Sequence, residues 1–337
     1  MSDSEKQFVE VVDVEQKVVD RLKTLFTNKA LNLPTTRYGP KGYLFPREFE
    51  TVGRDIYNME LRPSDTFVVT FPRSGTTWTQ ELVWLIKNNF DYEKAAETLL
   101  ADRFPFIELI MFKKKRDTNN KIGEEKVKAA SEALMVSVEK INGMASPRFI
   151  KSHLPMSLLP PKLLDTCKVV YVAREPRDVA VSFYHQHILM KKCPADLDFK
   201  TFWSYFKEDL VPWTPYFGHV KEAWELRHHP NMLYLFYEEL SKDLAACARR
   251  IAEFFNVAIT EDQTRKLCEH LKIDNFKNNK SVNNESMKDL GLLVKKESFI
   301  RKGKVGGWRD YFDEEMTLEA DRWIEENLRD TDFRFPQ

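Results

Sequence analysis

The segment from residue 70 to residue 78, TFPRSGTTW, concentrates groups that can bind an anion. One cation, one glycine and three hydroxyl side chains stand together in it: Arg73, Gly75, Ser74, Thr76 and Thr77. The apolar residues before them predict a strand, and those after them predict a helix whose first backbone N–H groups point outward. Phosphate or sulfate is the natural occupant of such a turn, and simple capping of the helix by serine and threonine is the alternative.

Further polar side chains occur where the next three predicted strands end. In chain order they are Lys151, His153, Arg174, Ser182 and Tyr237. Ser182 is the one that lies on a helix, the helix after the third strand. The carboxyl ends of parallel strands meet at one edge of a sheet, where ligands bind. These side chains are therefore expected to converge, although each alone has a structural explanation, such as pairing of Arg174 with a nearby carboxylate.

A stretch near the C-terminus, SFIRKGKVGGWRDYF (residues 298–312), combines Lys and Arg residues with three glycines and aromatic residues. As a run of charge, it is typical of a solvated loop. Its glycines and aromatic residues instead favour a segment that closes over a phosphate, with Phe299 near a base.

Strands that alternate with helices must position these groups. Four strands are predicted at 65–71, 148–153, 167–174 and 232–237, with helices from Thr76, from near Asp178 and over 238–255. The pattern predicts an α/β fold with a central parallel sheet flanked by helices and a P-loop-like strand–loop–helix. A single domain over residues 1–337 is expected, with a core at about 40–330 and a helical or extended segment at 1–39.

Composition restricts the class of protein. The 337 residues contain 52 Lys and Arg and 52 Asp and Glu, so no overall field attracts nucleic acid or a membrane surface. The apolar runs are too short to span a bilayer. The cysteines, Cys167, Cys193, Cys247 and Cys268, lack CxxC spacing, which predicts free thiols and a cytoplasmic location. Since no cluster of His, Cys and Asp has ligand spacing, no metal is expected.

Five segments in order resemble motifs of the cytosolic sulfotransferases, which use 3′-phosphoadenosine 5′-phosphosulfate (PAPS) as sulfonate donor. They are FPRSGTTW, KSHLP, AREPRDVAVSFYH, LYLFYEEL and RKGKVGGW. The resemblance extends from GPKGYLFP to GGWRDYF, which is most of the chain, and SGTTWTQELVWLI is most similar to arthropod members.

The resemblance implies roles for individual residues. Catalysis would involve His153 as general base, since a histidine pKa near ~6.5 suits neutral pH, with Lys151 and Arg73 beside the transferring group. The loop from Arg73 to Trp78 would bind the phosphosulfate, with Trp78 on the adenine. The 3′-phosphate site would comprise Arg174, Ser182, Arg301, Lys302 and Gly303. The adenosine pocket would comprise Tyr237, Asp274, Phe276, Phe299 and Ile300.

The acceptor implied by the resemblance is a small lipophilic molecule with a hydroxyl or amine, such as a phenol, steroid, catecholamine or retinoid. Such an activity would serve xenobiotic or hormone metabolism. The residues expected to contact the acceptor are Phe106, Leu109, His153, Phe45 and Phe183.

Two other functions are open from the residues alone. A P-loop kinase-like phosphotransferase is disfavoured, because the Walker sequence GxxxxGK[ST] requires a first glycine and a lysine that are missing here. The second open function is that of a non-catalytic protein that binds a small lipophile.

Some positions depart from the family pattern. Arg73 stands where most members have lysine, and an arginine is a poor proton donor. Asp274 replaces a small hydroxyl residue, and Gly307 replaces an acid. The family's dimer motif would begin at Arg309, yet Asp313, Glu314 and Leu318 occupy its later positions, which predicts a monomer or a dimer through another surface.

Overall fold

A small antiparallel sheet lies at the N-terminal end of the computed structural model, which describes residues 9–27, 32–112, 135–289, 293–294, 298–301 and 303–336. Its strands, in the order β1–β2–β3, are β1 (Val11–Asp13), β2 (Thr36–Tyr38) and β3 (Tyr43–Phe45). The sequence analysis did not predict this sheet, because three-residue strands are too short to show alternation.

The central sheet has four parallel strands in the order β5–β4–β6–β7. They are β4 (Thr66–Thr70), β5 (Phe149–Ser152), β6 (Lys168–Ala173) and β7 (Met232–Phe236). All four were predicted, and each predicted end extends one residue too far except the start of β7 at Met232, which is correct. Because Val69 pairs with both Ser152 and Tyr171, the carboxyl ends of the three neighbouring strands lie level.

Helices pack on both faces of this sheet. In the first half of the chain they are α1 (Gln16–Leu25), α2 (Phe49–Tyr57), α3 (Thr76–Lys87), α4 (Tyr92–Glu97), α5 (Leu100–Arg103), α6 (Val138–Asn142) and α7 (Leu163–Thr166). In the second half they are α8 (Pro176–Leu189), α9 (Phe199–Lys207), α10 (Tyr216–Glu225), α11 (Tyr237–Lys242), α12 (Leu244–Phe254), α13 (Glu261–His270), α14 (Ile273–Asn278), α15 (Glu285–Asp289) and α16 (Glu314–Leu328). Short 3₁₀ turns occur at Leu109–Phe112, Met156–Leu158 and Gly307–Asp310.

Two helix boundaries differ from the prediction. Helix α8 begins at Pro176 rather than near Asp178, because the carboxylate of Glu175 accepts a hydrogen bond from the Asp178 N–H and caps the helix. The helix predicted over 238–255 is two helices, α11 and α12. The Asp243 carboxylate accepts from the Ala246 N–H, so the chain bends there and a new helix begins.

Buried side chains alternate between the two faces of the sheet. Phe67, Val69 and Tyr171 belong to one apolar core, while Val68 and Val170 belong to another, which includes the buried face of α3. Near-continuous apolar strands are expected when both faces are covered. The sheet is therefore held from both sides, and its carboxyl edge is a firm base for the polar groups.

Helix lengths, acidic and metal-binding side chains and cysteines bear on three further expectations. Within the described ranges, no helix is long and apolar enough to cross a membrane. The same ranges contain no group of His, Cys, Asp or Glu side chains that could hold a metal ion. All four cysteines are free thiols, and three of them are buried.

Candidate active site

The loop between β4 and α3 is shaped by two residues in the left-handed region. Gly75 has a φ of 95°, and a Cβ there would lie 2.7 Å from Cδ2 of Tyr237. Glycine is required at this position because only hydrogen fits against the tyrosine ring. Arg73 has a φ of 70°, which is unusual for a residue with a long side chain. The backbone therefore turns sharply before the N-terminus of α3.

Two polar atoms beside this loop are buried and have no hydrogen-bond partner among the described residues. They are Oγ of Ser74 and Nε of Arg174. A buried donor that lacks a hydrogen bond is costly, so such atoms usually have a ligand. A hydroxyl and a guanidinium N–H at the start of a helix suit phosphate or sulfate oxygens. The loop therefore fits the phosphosulfate that the sequence predicted.

Three arginines surround one cavity. Nε of Arg73 donates to Oγ of Ser182 at 3.0 Å, and Nη2 donates to the Phe299 carbonyl at 3.1 Å. Burial, followed by the like charges of Arg174 and Arg301, lowers the pKa of Arg73 to about 10. Guanidinium groups that repel one another across a cavity need an anion between them, and PAPS has several negative charges.

Arg174 connects the loop to the C-terminal segment. Its Nη1 and Nη2 groups donate to the carbonyls of Arg73 and Lys304, both at 3.1 Å, and its guanidinium lies 4.1 Å from the centre of the Tyr237 ring. Asp178 holds the same segment, since its carboxylate accepts from the N–H groups of Gly306 and Trp308 at 2.7 and 2.9 Å. Asp178 was not predicted, because its helix position resembled that of any first-turn acid.

His153 follows β5 and is buried at the edge of the cavity. Its Nδ1 lies 2.8 Å from the carbonyl oxygen of Thr70. A carbonyl only accepts, so Nδ1 bears the hydrogen of the neutral ring and Nε2 is left as the basic atom. Burial, with a further contribution from the Lys151 charge, holds the pKa of His153 well below its usual range. The imidazole is thus neutral and able to accept a proton at neutral pH.

Lys151 lies two residues before His153 and lines the same cavity. Its ammonium is 4.4 Å from the centre of the Phe106 ring. Burial lowers the pKa of Lys151 to about 8, and the nearby Glu108 charge opposes this effect. Lys151 therefore provides a cation close to the point where the base acts.

Three residues that the sequence analysis missed hold His153 in place. Glu108 accepts from the His153 N–H at 2.6 Å and from the indole N–H of Trp213 at 3.3 Å. His219 donates from Nε2 to the His153 carbonyl at 2.9 Å. Burial raises the pKa of Glu108 to about 7. No short motif marks these residues, since their hydrogen-bond partners are more than 40 positions away in the chain.

The adenosine side of the cavity is aromatic. The Trp78 and Tyr237 rings are 5.9 Å apart, and the Trp78 indole N–H donates to the Leu271 carbonyl at 3.0 Å. Ile273 and Phe276 of α14 also line the wall. Asp274 lies between them on the same short helix, but it is exposed and is not among the residues that line the cavity, so its contact with adenine stays a prediction.

Most of the residues predicted for the donor site line this one cavity. They are Arg73, Gly75, Thr76, Thr77, Trp78, Lys151, His153, Arg174, Ser182, Tyr237, Phe276, Phe299, Ile300, Arg301 and Gly303. Ser74 lies buried in the same loop, and Lys302 lies outside the described residues. The lining further includes Asp178, Gln186, Leu271, Ile273, Lys304, Gly307 and Tyr311, which were not predicted.

Apart from His153, the residues predicted for the acceptor are not among those that line the cavity, and most of them pack near His153 or Trp213. The Phe106 ring is 5.0 Å from His153, and Trp213 is 5.7 Å from it on another side. Phe45 and Phe183 are fully buried and pack against Trp213 at 6.2 and 6.3 Å. Leu109 is half-buried in a 3₁₀ turn next to Glu108. Trp213 is thus the common neighbour of four of the predicted contacts, Phe45, Phe106, His153 and Phe183.

Known proteins share both sequence and fold with this chain. A family model described as the sulfotransferase domain matches residues 63–332. Sulfotransferase 1E1 of Bos taurus is 31% identical over 282 residues, which cover 83% of this chain and 89% of that protein. Luciferin sulfotransferase of Photinus pyralis is 35% identical over 286 residues, which cover 83% of this chain and 75% of that protein.

The chain belongs to the sulfotransferase family. Solved structures agree with this assignment. Retinol dehydratase in a complex with retinol and PAP, the 3′,5′-bisphosphate product of PAPS, superposes with a TM-score of 0.92 at 43% identity, over 97% of this chain and 99% of that one. The same enzyme with androsterone and PAP gives a TM-score of 0.90 at 42% identity, over 97% and 98% of the two chains.

Membership of this family confirms three predictions. The fold is α/β with a central parallel sheet, the protein is a PAPS-dependent sulfotransferase, and PAPS is its sulfonate donor. The kinase-like and non-catalytic alternatives are not favoured. The roles of individual residues, the domain bounds and the oligomeric state stay predictions.

Proposed function

We propose that this sulfotransferase transfers sulfonate from PAPS to the hydroxyl of a lipophilic alcohol, and that the residues lining the cavity perform the transfer. One observation carries the proposal. A single cavity joins the arginine-rich loop to Lys151 and His153, so an anionic donor and a base face each other. An amine acceptor is the alternative nucleophile at the same place.

The donor would be held by groups that are already in position. The N-terminus of α3, Ser74 and Arg73 would bind the phosphosulfate, while Arg174, Ser182 and Arg301 would bind the 3′-phosphate. Bound PAPS supplies an electrophilic sulfonate and a bisphosphate leaving group. Fixed cations lower the barrier because they stabilise charge that moves onto the leaving phosphate.

The acceptor would be activated by His153. Its Nε2 would take the hydroxyl proton as oxygen attacks sulfur, and the Thr70 carbonyl would stabilise the imidazolium through Nδ1–H. Lys151 would neutralise charge on the sulfonate oxygens. Arg73, whose pKa is about 10, stays protonated at neutral pH, so its contribution would be electrostatic.

The acceptor class follows from the aromatic wall and from the related structures. Phe106 and Trp213 pack against the His153 ring, so the surroundings of the base are apolar, which suits a large apolar body with one hydroxyl. Retinol and androsterone, each bound by retinol dehydratase, have this character. We therefore place isoprenoid and steroid alcohols before phenols and catecholamines.

A transfer assay with PAPS labelled in the sulfonate tests the proposal. Retinol, androsterone, a simple phenol and dopamine would be compared, with labelled ATP as a control for phosphoryl transfer. We expect label in the two large alcohols with the highest kcat/KM. Transfer from ATP, or binding of an alcohol without transfer from PAPS, would contradict it.

A second activity is favoured by the likeness to retinol dehydratase over 97% of this chain. The sulfate ester of an allylic alcohol can lose sulfate and a proton, leaving an alkene. Aromatic faces beside His153 could stabilise the developing carbocation. Product analysis with retinol decides between the two outcomes: a sulfate ester shows transfer alone, and an anhydro product with one PAP formed per alcohol consumed shows dehydration.

The cytoplasmic location and the monomeric state remain predictions. Asp313, which departs from the family's dimer motif, accepts a hydrogen bond from the Met316 N–H at 2.8 Å and caps α16. Its carboxylate therefore has a local role in this chain. Sedimentation velocity at several concentrations would distinguish a monomer from a dimer, and a tight dimer that Asp313→Lys and Glu314→Lys together dissociate would contradict the prediction of a monomer or a dimer through another surface.

A further inference from the structure

Tyr311 joins two parts of the cavity wall that are distant in sequence. It follows the 3₁₀ turn at Gly307–Asp310, is half-buried and lines the cavity together with Arg301. Its hydroxyl lies 3.0 Å from Nη1 of Arg301 and 2.7 Å from Nε2 of His185. His185 is on α8, three residues after Ser182.

Two hydrogen bonds meet at the Tyr311 hydroxyl. Arg301 only donates, so the phenol oxygen accepts its N–H, and the hydroxyl of Tyr311 forms a second hydrogen bond with Nε2 of His185. The ring is fixed by edge contacts with His185 and Phe199, both at 5.4 Å between centres. Tyr311 thus ties Arg301 to the helix that bears Ser182.

We propose that Tyr311 is a positioning residue that holds the guanidinium of Arg301 toward the 3′-phosphate of the nucleotide, and so determines the preference for 3′-phosphorylated nucleotides. The inference rests on the donor site proposed above. A guanidinium has five N–H donors, so the bond to Tyr311 leaves others for the phosphate. A long side chain that is fixed before binding loses less conformational freedom when the ligand arrives.

The test is Tyr311→Phe, which removes one oxygen and keeps the ring. Dissociation constants for PAP and adenosine 5′-monophosphate would be measured by calorimetry. We expect PAP to bind about fivefold more weakly, the effect of losing one hydrogen bond, and the monophosphate to change less than twofold. Tyr184→Phe is the matched control, because this hydroxyl on α8 donates to the Leu197 carbonyl at 2.6 Å and should leave both constants unchanged.

Two further variants separate positioning from a general structural effect. In an Arg301→Ala background, Tyr311→Phe should have no additional effect on PAP, as a double-mutant cycle requires for coupled groups. His185→Phe should also weaken the binding of PAP, and this variant keeps the inference testable if Tyr311→Phe does not fold. Equal losses of affinity for PAP and the monophosphate would overturn the inference. So would an undiminished effect of Tyr311→Phe on PAP binding in the Arg301→Ala background. Wild-type protein that fails to bind PAP would instead refute the proposed donor site.

Discussion

The candidate site has a donor half, whose residues line the cavity, and a proposed acceptor half of aromatic residues beside His153, and the two are built in different ways. On the donor side, hydrogen bonds between distant elements fix the cations, as between Arg73 and Ser182 or between Arg174 and Lys304. On the acceptor side, aromatic rings pack around His153, and Phe45 and Phe183 are as buried as the core. An anion demands polar groups at fixed places, whereas an apolar ligand demands only shape.

This difference explains why one half is easier to recognise than the other. Arg, Ser, Gly and Thr in one turn are uncommon in a core, so they indicate a ligand. Phenylalanine and tryptophan are the ordinary residues of a core, so they indicate nothing specific. Variants of the two halves should therefore differ in which ligand they affect, and four predictions make this division testable.

The largest effect is expected at the border of the two halves. His153→Ala should reduce turnover by about 10²- to 10⁴-fold, because the acceptor loses its general base. The dissociation constant of PAP should hardly change, since Nε2 faces the acceptor. Steady-state kinetics and calorimetry measure the two quantities, and exposed His228→Ala is the control. Near wild-type turnover would remove His153 from the mechanism.

On the donor side, Arg174→Ala should weaken the binding of PAPS by about 1.5 to 3 kcal/mol, the scale of a hydrogen bond to a charged group. Binding of adenosine 5′-phosphosulfate, which lacks the 3′-phosphate, should change much less. Arg249→Ala, at an exposed ion pair with Glu261, is the matched control. Equal losses for the two nucleotides would mean that Arg174 acts through the fold.

On the acceptor side, Trp213→Phe should raise the KM of the alcohol by about two- to tenfold and leave the PAP dissociation constant unchanged. The variant loses the hydrogen bond to Glu108 and part of the ring beside His153. Trp224→Phe removes a comparable bond, to Asp332 at 2.7 Å, away from the site. A variant that changes only the dissociation constant of PAP would contradict the separation into a donor half and an acceptor half.

The smallest effect at neutral pH is expected for Lys151→Arg, which keeps the charge. With the pKa of Lys151 lowered to about 8, kcat/KM should fall above about pH 8, as the ammonium is lost. Arginine stays protonated, so the variant should remain active to higher pH. The lowered pKa of His153 keeps the base unprotonated in acid, so activity should persist below pH 6.5 in both proteins. An unchanged alkaline limb would exclude Lys151 as its origin.

The sequence predicted the parts of the fold and site that depend on local chemistry. The four parallel strands were predicted from their apolar runs. The glycine in the loop before α3 and the arginines were predicted because these residue types suit a tight turn and the binding of an anion. The division of the predicted helix 238–255 at Asp243 was missed, because the helical spacing of its apolar residues continues through the bend. Glu108, Asp178 and Tyr311 were missed because each acts through partners that only the folded chain brings near, such as the N–H groups of Gly306 and Trp308 for Asp178.

The C-terminal segment is attached to the donor site through main-chain oxygens. Arg73 donates to the carbonyl of residue 299, and Arg174 donates to that of residue 304. Every amino acid has a carbonyl, so substitutions at these two positions leave the attachment available. Paralogues could therefore vary the side chains above the nucleotide, and with them its rate of release, while the segment keeps its position. Evolution can in this way adjust how fast the enzyme turns over without rebuilding how it binds its donor.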